Sequence, residues 1–344
     1  MAETQIDFKA TSDWAEINVE NFYRPAKYTK FNSGQSNPTY LIETSKKKYV
    51  LRKKPEGILL KSAHAVDREY RVQLALKNSP IPVPRMYAYC DDINVLGTEF
   101  YIMEHLEGVC YEDPRLDVIV QHRRYSIFEE MSNILAEIHK VDLLKVGLSD
   151  YGPGDDYFTR QITRWTKQYR SSETGQIKSM DQLILWLEEN TPADDGKRCL
   201  VHGDFRLDNL LFDPQKNNCV AVLDWELSTI GHPFADLASV LMQWSMPTGL
   251  EGRGLQDVNR KEFGLMEDKE FVASYCESVG LKGIYKFEFY MAFAFFRMAA
   301  ILQGVKKRGL EGNASNPEKA MKLGNLVKVF SEKGIAVLEK NKGF

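Results

Sequence analysis

The chain has 344 residues, of which 43% are hydrophobic and 27% charged, and its formal net charge is −3. This length exceeds that of one ordinary hydrophobic core, so two lobes are expected. The near balance of acidic and basic residues gives no electrostatic bias towards nucleic acid or an anionic membrane, and we expect neither as a partner.

The N-terminal part of the sequence predicts strands and one helix. Residues 64–77 show helical periodicity, and the prolines of "SPIPVP" end that helix because they lack a backbone N–H. The connection "NSGQSNP" between the first two strands has the composition of a turn. The predicted strands are 27–31, 39–44, 47–53 and 98–103.

The rest of the sequence predicts mainly helices. They are expected over 120–140, 158–170 and 180–190, where apolar residues recur at helical spacing. A short strand at 199–201 leads into the polar segment "HGDFRLDN". After residue 232 the chain is again mainly helical, with a break at 247–268 that is rich in glycine and charged residues.

The polar segment runs into a predicted hairpin. Residues 210–212 and 219–223 are apolar runs separated by "DPQKNN", which is a turn signal. In an antiparallel hairpin the start of the first strand lies opposite the end of the second. Asn209 and Asp224 should therefore meet at one edge, and Asp204 lies in the loop that enters the hairpin.

Converging oxygen ligands of this kind suit Mg²⁺, which takes one or two carboxylates and completes its shell with phosphate and water. Asn209 and Asp224 would hold the ion, and Asp204 would remain to meet an incoming hydroxyl group. The pattern therefore predicts a phosphoryl-transfer site. The alternative is that these three residues only make turns, as Asp and Asn in loops usually do.

The motifs "HGDFRLDN" and "LDWE" resemble those of the aminoglycoside phosphotransferase and choline kinase group. That group has the protein-kinase fold, in which an H-R-D…N loop and a D-F-G segment perform catalysis and metal binding. Asn209 follows Asp204 by five positions, and Asp224 matches the D-F-G aspartate. Gly203 and the pair Trp225-Glu226 depart from the protein-kinase pattern and favour the small-molecule branch.

Several segments together resemble the phosphotransferase-like domain that is fused to some acyl-CoA dehydrogenases. They are "GQSNPTYLI", "YVLRKKP", "GTEFYIMEHLEG", "VHGDFRLDNLLF" and "VLDWELSTIGHPFADLA". The resemblance covers residues 28 to about 305. No dehydrogenase sequence follows, so we expect a free-standing version with a functional link to an acyl-CoA dehydrogenase.

This resemblance implies an α+β, two-lobed protein-kinase-like fold. The strand-rich N-lobe would comprise residues 1–103, the hinge 104–108 and the mostly helical C-lobe 109–344, with ATP held at the hinge. The implied activity is transfer of the γ-phosphoryl group of Mg·ATP to a hydroxyl group of a small molecule. The absence of H-R-D and A-P-E motifs argues against a protein kinase.

The resemblance also assigns the residues that would contact the phosphates of ATP. Arg52 would pair with them, or Lys53 if the register is shifted by one, and Glu69 would pair with that cation. Ser36 and Asn37 would lie over the phosphates.

At the hinge, Met103 would line the adenine pocket, and the backbones of Glu104 and Leu106 would bond the base. Around the reacting groups, Arg206 would stabilise transition-state charge, and Glu226 would be an additional Mg²⁺ ligand.

The basic residues Arg160, Arg164 and Arg297 are candidates for binding an anionic substrate. A solvated basic face, or for Arg297 a structural partner, is the alternative. We expect a 4-hydroxyacyl-CoA or a related hydroxy acid as the acceptor. An aminoglycoside or choline-type acceptor, and an inactive nucleotide-binding module, remain alternatives.

Outside the reacting groups, Asp236 is expected to brace the catalytic loop, and His139 and His202 are expected to be structural. The five cysteines include no C-x-x-C pair, which argues against disulfides or a zinc site. The N-terminus lacks the features of a signal peptide, and no apolar run is long enough to span a bilayer. We therefore expect a cytoplasmic protein.

Overall fold

The computed structural model describes residues 8–31, 37–55, 64–249, 253–314 and 316–339. Its strands and helices are numbered in chain order. The strands are β1 (Lys27–Lys30), β2 (Thr39–Glu43), β3 (Lys48–Lys53), β4 (Met86–Cys90), β5 (Phe100–Glu104), β6 (Cys199–Val201), β7 (Leu210–Phe212), β8 (Cys219–Val222) and β9 (Thr229–Gly231). The helices are α1 (Lys9–Asn18), α2 (Val66–Leu76), α3 (Ile93–Leu96), α4 (Gln121–His139), α5 (Tyr157–Ser172), α6 (Lys178–Asn190), α7 (Phe234–Trp244), α8 (Arg260–Phe263), α9 (Asp268–Ser278), α10 (Phe287–Leu310), α11 (Pro317–Gly324) and α12 (Leu326–Glu339).

The chain forms two compact units. Unit 1 comprises Met1–Cys110, Leu144–Leu148 and Asp208–Ser228, and unit 2 comprises Tyr111–Leu143, Ser149–Leu207 and Thr229–Phe344. The β7–β8 hairpin belongs to unit 1 through its backbone. Phe212 and Val109 exchange two backbone hydrogen bonds of 2.9 Å, and the N–H of Val222 donates to the carbonyl of Pro82 at 2.8 Å. The predicted lobes and hinge, which are continuous in sequence, stay a prediction.

Unit 1 contains a five-stranded antiparallel sheet in the order β1-β2-β3-β5-β4. Four of these strands were predicted, whereas β4 was not. The helix α1, which lies against this sheet, was not predicted either. The order places β3 at the centre of the sheet, with a hydrogen-bonded strand along each of its edges.

The two faces of the sheet carry different side chains because neighbouring residues of a strand point in opposite directions. Tyr49 and Leu51 of β3 belong to a core cluster that includes Ala15 of α1. Val50 belongs to the opposite cluster with Val66 of α2. This alternation places Arg52 on the α2 face and Lys53 on the α1 face.

Unit 2 is mostly helical, and α10 is its central element. Phe287, Phe293 and Phe296 of this helix are almost completely buried, and α10 packs against α5, α7 and α12. The short strands β6 and β9 pair in antiparallel fashion, with Leu200 opposite Ile230. Strand β9 was not predicted, since its sequence, Thr-Ile-Gly, contains no apolar run like those of β6 and β7.

The predicted helices of this region are present as α4, α5 and α6, with ends that differ from prediction by up to two residues. Within the ranges that the structure describes, no helix combines the length and the apolar character needed to cross a membrane.

Candidate active site

The β7–β8 hairpin has the predicted arrangement. Leu210 lies opposite Val222, and the N–H of Leu223 donates to the carbonyl of Asn209 at 2.8 Å. Asp224 is the next residue, and it adopts a left-handed conformation with φ of 63°. The backbones of Asn209 and of the residue before Asp224 are therefore joined at one end of the hairpin. Trp225, fully buried, anchors this turn through a 3.0 Å hydrogen bond from its Nε1 to the carbonyl of Val222.

Arg52 bridges two carboxylates of unit 1. Its Nε donates to Glu69 Oε2 at 2.8 Å, and its Nη2 donates to Asp224 Oδ1 at 2.6 Å. The side chain of Glu69 is only 2% exposed, whereas that of Asp224 is 28% exposed. One guanidinium group thus joins the α2 helix to the carboxylate that was predicted to bind metal.

The surroundings of this cluster perturb its ionisation. Burial disfavours the charged form of Arg52, but the Glu69 and Asp224 carboxylates outweigh that effect and raise the pKa of Arg52. Burial also raises the pKa of Glu69, and the Arg52 guanidinium opposes that rise. The pair is therefore held by mutual neutralisation, and removing Arg52 would leave the buried Glu69 carboxylate without its cation.

Lys53, the alternative phosphate-pairing cation, lies on the other face of the sheet. It is 2% exposed, and its backbone N–H donates to the carbonyl of Pro38 at 3.0 Å. The ion pair expected for Glu69 is therefore made by Arg52. That Arg52 contacts the phosphates of ATP stays a prediction.

Asn37 connects the loop before β2 with the turn after β8. Its Nδ2 donates to Glu226 Oε2 at 3.1 Å, and its Oδ1 lies 3.0 Å from Nδ1 of His64. Asn37 is only 1% exposed. Ser36, predicted to lie over the phosphates together with Asn37, is outside the described residues.

The predicted hinge residues lie at the end of β5. Met103 is buried and pairs directly with Val50 on the α2 face of the sheet. The backbone N–H of Glu104 donates to the carbonyl of Arg85 at 2.9 Å, so this donor is used within unit 1. Leu106 follows the strand and is half-buried. A role for these three residues in binding adenine stays a prediction.

The three predicted metal ligands all lie in unit 1. Asn209, Asp224 and Glu226 supply one amide oxygen and two carboxylates, a donor set that fits Mg²⁺. Across the part of the chain that the structure describes, no group of three or more His, Cys, Asp or Glu residues has metal-binding geometry. A cation held here would therefore need phosphate and water to complete its shell, as Mg²⁺ does at nucleotide sites.

Asp204 and Arg206 lie in the loop that follows β6 in unit 2. Arg206 Nη2 is 3.1 Å from Asp204 Oδ2, and both side chains are partly exposed. The preceding His202 is fully buried. A carboxylate beside a guanidinium at the surface of a fixed loop can accept a proton from a hydroxyl group and stabilise negative charge nearby.

Asp236 of α7 holds this loop by its backbone. Its carboxylate accepts hydrogen bonds from the N–H groups of His202 at 2.6 Å and Gly203 at 2.9 Å. His139 Nε2 lies 3.5 Å from the same carboxylate, and His139 Nδ1 lies 2.8 Å from the hydroxyl of Tyr275. Despite burial, the hydrogen bond and charge of His139 lower the pKa of Asp236. The expected bracing role of Asp236 is present, whereas Tyr275 had no recognisable signal in the sequence.

The three predicted substrate residues have different environments in unit 2. Arg160 donates to the carbonyls of Pro153 and Asp155, each at 2.6 Å, and so closes the turn before α5. Arg164 is exposed, with its guanidinium 5.4 Å from the ring centroid of Trp165. Arg297 donates a hydrogen bond to a backbone carbonyl and lies beside the ring of Trp165. A role for any of the three in substrate binding stays a prediction.

Arg297 contacts the backbone of the loop that carries Asp204. Its Nη2 donates to the carbonyl of Gly203 at 2.9 Å, and its guanidinium lies 5.8 Å from the ring centroid of Trp165. The expected partner was a structural carboxylate or an acid group of the substrate. Sequence reasoning missed this backbone contact because a carbonyl leaves no residue-type signal.

Both the sequence and the fold of this chain match known phosphotransferases. The sequence model of the phosphotransferase enzyme family matches residues 27–270. A crystal structure described as a putative aminoglycoside phosphotransferase from Ralstonia eutropha is 40% identical, with a TM-score of 0.89, and the match covers 98% of this chain and 100% of that one.

Two further proteins are similar to this chain, one in sequence and one in fold. Acyl-CoA dehydrogenase family member 10 of Mus musculus is 45% identical over 309 residues, which are 90% of this chain but only 29% of the mouse protein. A ternary complex of a thermostable mutant of aminoglycoside phosphotransferase APH(4)-Ia with AMP-PNP and hygromycin B is 15% identical, with a TM-score of 0.61 over 94% of this chain and 97% of that one. At that identity the likeness concerns the fold alone, and it confirms the predicted α+β kinase-like class.

Proposed function

This chain belongs to the phosphotransferase enzyme family, as its motifs predicted, and from that premise we propose that it is an ATP-dependent kinase of a small-molecule hydroxyl group. The observation that carries the proposal is the Arg52 bridge. The Nε of Arg52 pairs with the buried Glu69, and its Nη2 pairs with the partly exposed Asp224. A fixed cation beside an accessible carboxylate suits the binding of a phosphate group together with its divalent cation.

In unit 1, the proposed roles concern nucleotide and metal. Asn209, Asp224 and Glu226 would hold Mg²⁺, which supplies neutralisation of the phosphate charge when bound. Arg52 would exchange its contact with Asp224 for one with the phosphates, while Glu69 keeps the guanidinium in place. Asn37 orients the Glu226 carboxylate through its 3.1 Å hydrogen bond.

In unit 2, the proposed roles concern the acceptor. Asp204 orients the acceptor hydroxyl and takes its proton as the oxygen bonds to the γ-phosphorus and the bond to ADP breaks. Arg206, 3.1 Å from Asp204, stabilises the negative charge on the transferring group. ATP as the donor favours a cytoplasmic setting, which is part of the proposal.

The acceptor that we propose is a 4-hydroxyacyl-CoA or a related hydroxy acid. The mouse relative is named as an acyl-CoA dehydrogenase family member, and this chain spans 29% of it, which supports a functional link to such a dehydrogenase. Arg164 and Lys167 are exposed on α5 and would suit an anionic acceptor. A second candidate is an aminoglycoside, favoured by the description of the Ralstonia eutropha structure. An aminoglycoside is a polycation, and the same basic residues would repel it.

The test is direct competition among acceptors. The purified chain is incubated with Mg·ATP and a 4-hydroxyacyl-CoA, a free 4-hydroxy acid, choline or kanamycin, and phosphorylated products are followed by mass spectrometry. We expect the highest kcat/KM for the hydroxyacyl compound. A higher kcat/KM for kanamycin or choline would refute the acceptor and leave the kinase proposal standing. If none of the four is phosphorylated and no ADP forms, an inactive nucleotide-binding module becomes the better explanation.

A further inference from the structure

Both backbone polar groups of Gly203 are held by side chains from two helices of unit 2. The N–H donates to Asp236 of α7, and the carbonyl accepts from Arg297 of α10, each at 2.9 Å. Gly203 itself is buried. The residue immediately before Asp204 is therefore restrained from two directions.

Gly203 needs such restraint more than another residue would. Its φ is +83°, a conformation that glycine adopts freely and other residues rarely do. Because glycine rotates so freely about its backbone bonds, Gly203 without these hydrogen bonds would allow the orientation of the following residue to vary. A rotation at Gly203 would redirect the side chain of Asp204, so the direction of that carboxylate depends on what holds the two polar groups.

Arg297 is itself well fixed. It lies in the middle of α10, a helix whose neighbouring residue Phe296 is fully buried. Its guanidinium lies over the ring of Trp165 in α5, and the Trp165 Nε1 donates to Gln161 at 3.1 Å. A guanidinium restrained by a long packed helix and an aromatic ring makes a rigid support for a loop.

We propose that Arg297 is a positioning residue for Asp204, which it serves by holding the carbonyl of Gly203, rather than a residue whose main task is to bind an acid group of the substrate. Asp236 restrains the N–H side of Gly203 and Arg297 restrains the carbonyl side. The proposal rests on the proposed phosphoryl transfer for its kinetic consequences, but its structural consequence does not depend on activity.

The structural consequence is tested by hydrogen–deuterium exchange on the full chain without acceptor. In Arg297→Met, we expect amide exchange in residues 202–206 to rise about tenfold, because a hydrogen bond to a buried carbonyl is lost. The matched control is Arg308→Met, which removes an exposed arginine three turns further along the same helix. The control should leave exchange in residues 202–206 unchanged.

The kinetic consequence separates positioning from substrate binding. ADP formation is measured with three acceptors: a 4-hydroxyacyl-CoA, an uncharged hydroxy amide and water. If Arg297 positions Asp204, kcat falls by a similar factor with all three, on the order of 10²-fold for a displacement of about 1 Å, and KM for the two organic acceptors changes little. Arg297→Lys, which keeps a cationic donor, should recover part of the rate with all three acceptors.

Three outcomes would overturn the proposal. The first is unchanged exchange in residues 202–206 of Arg297→Met. The second is a raised KM for the charged acceptor alone, with kcat retained, because that identifies a substrate-binding residue. The third is a uniform rise in exchange throughout unit 2 in both Arg297→Met and Arg297→Lys, because that identifies a general structural role. If wild type forms no ADP with any acceptor, the proposed function fails, and the exchange result alone decides the positioning role.

Discussion

The Arg52 cluster of unit 1 and the Asp204 loop of unit 2 are stabilised by different kinds of contact. Arg52 forms ion pairs with two side chains, those of Glu69 and Asp224. The Asp204 loop is held through its backbone, with Asp236 and Arg297 as the side-chain partners. The first arrangement can exchange one carboxylate for a phosphate, whereas the second fixes the path of the chain.

The exposed fractions of the side chains also differ between the Arg52 cluster and the contacts that hold the Asp204 loop. Asp224 is 28% exposed, so a ligand can compete for it at modest cost, whereas the side chains of Asp236 and His139 are each 2% exposed. Burial makes hydrogen bonds in the second group costly to break. The difference teaches that groups proposed to bind ligand are held by exchangeable ion pairs, and the group proposed to act on the acceptor stands on a rigid support.

The largest expected effect is that of Asp204→Asn. The proton acceptor is lost while the loop backbone keeps its restraints, so kcat should fall on the order of 10²–10⁴-fold with ATP affinity unchanged. Steady-state ADP formation and ATP titration measure the two quantities. Asp213→Asn in the hairpin turn is the matched control and should retain the rate. Turnover of Asp204→Asn within a few-fold of wild type would show that Asp204 is not the base.

Asp224→Ala should separate metal-dependent from metal-independent nucleotide binding. The gain in ATP affinity on adding Mg²⁺ should disappear, because a carboxylate ligand is lost. ATP affinity without Mg²⁺ should not fall, since Arg52 no longer shares its guanidinium with Asp224. Isothermal titration with and without Mg²⁺ measures both. A metal dependence equal to that of wild type would contradict the role of the hairpin edge.

Arg52→Met and Lys53→Met form a pair that tests which cation faces the phosphates. Arg52→Met should weaken ATP binding roughly 10–10²-fold, as loss of charge-assisted hydrogen bonds implies. Lys53→Met, on the α1 face of the sheet, should leave ATP affinity nearly unchanged. Arg52→Lys controls for the unpaired Glu69, because it keeps a positive charge beside that buried carboxylate. A larger loss of affinity in Lys53→Met than in Arg52→Met would reverse the assignment.

The smallest expected effect concerns His232. This residue lies just before α7, the helix that carries Asp236. Burial lowers the pKa of His232 to about 4, although Asp195 at 3.5 Å opposes the shift. The imidazole of His232 takes up a proton near pH 6.5 in the unfolded chain but only near pH 4 in the folded chain. Its contribution to the free energy of unfolding is therefore full above pH 6.5 and is lost as pH falls towards 4. Between pH 7 and pH 5 the loss is about 2 kcal/mol.

In His232→Phe this pH-dependent loss should be absent, since the imidazole that titrates is gone. Urea unfolding of wild type and variant at pH 7 and pH 5 gives the difference, and the other titrating groups cancel in the comparison. Phenylalanine is chosen because an aromatic ring can keep the stacking of His232 on Tyr290, whose ring centroids are 5.4 Å apart. Equal pH dependence in both proteins would mean that this part of unit 2 is more accessible to water than its burial indicates.

The sequence predicted those elements whose signal is local. The hairpin that joins Asn209 to the residue before Asp224 followed from two apolar runs and a turn, and the helices α4, α5 and α6 followed from apolar periodicity. Helix α1 was missed because its buried residues are Thr11, Ser12 and Ala15, which give no apolar stripe. Strand β4 was missed because its burial does not alternate and its partner, β5, lies beyond the short helix α3.

The sequence by itself determined the phosphotransferase motifs, the family and the residue types of the site, because these depend on short spacings along the chain. Only the tertiary structure decided that Arg52 rather than Lys53 meets Glu69, since strand alternation and sheet order set which face each side chain occupies. It also decided that Arg297 meets the carbonyl of Gly203, 94 positions away. Contacts between distant residues and backbone atoms depend on how helices pack, and no local pattern encodes them.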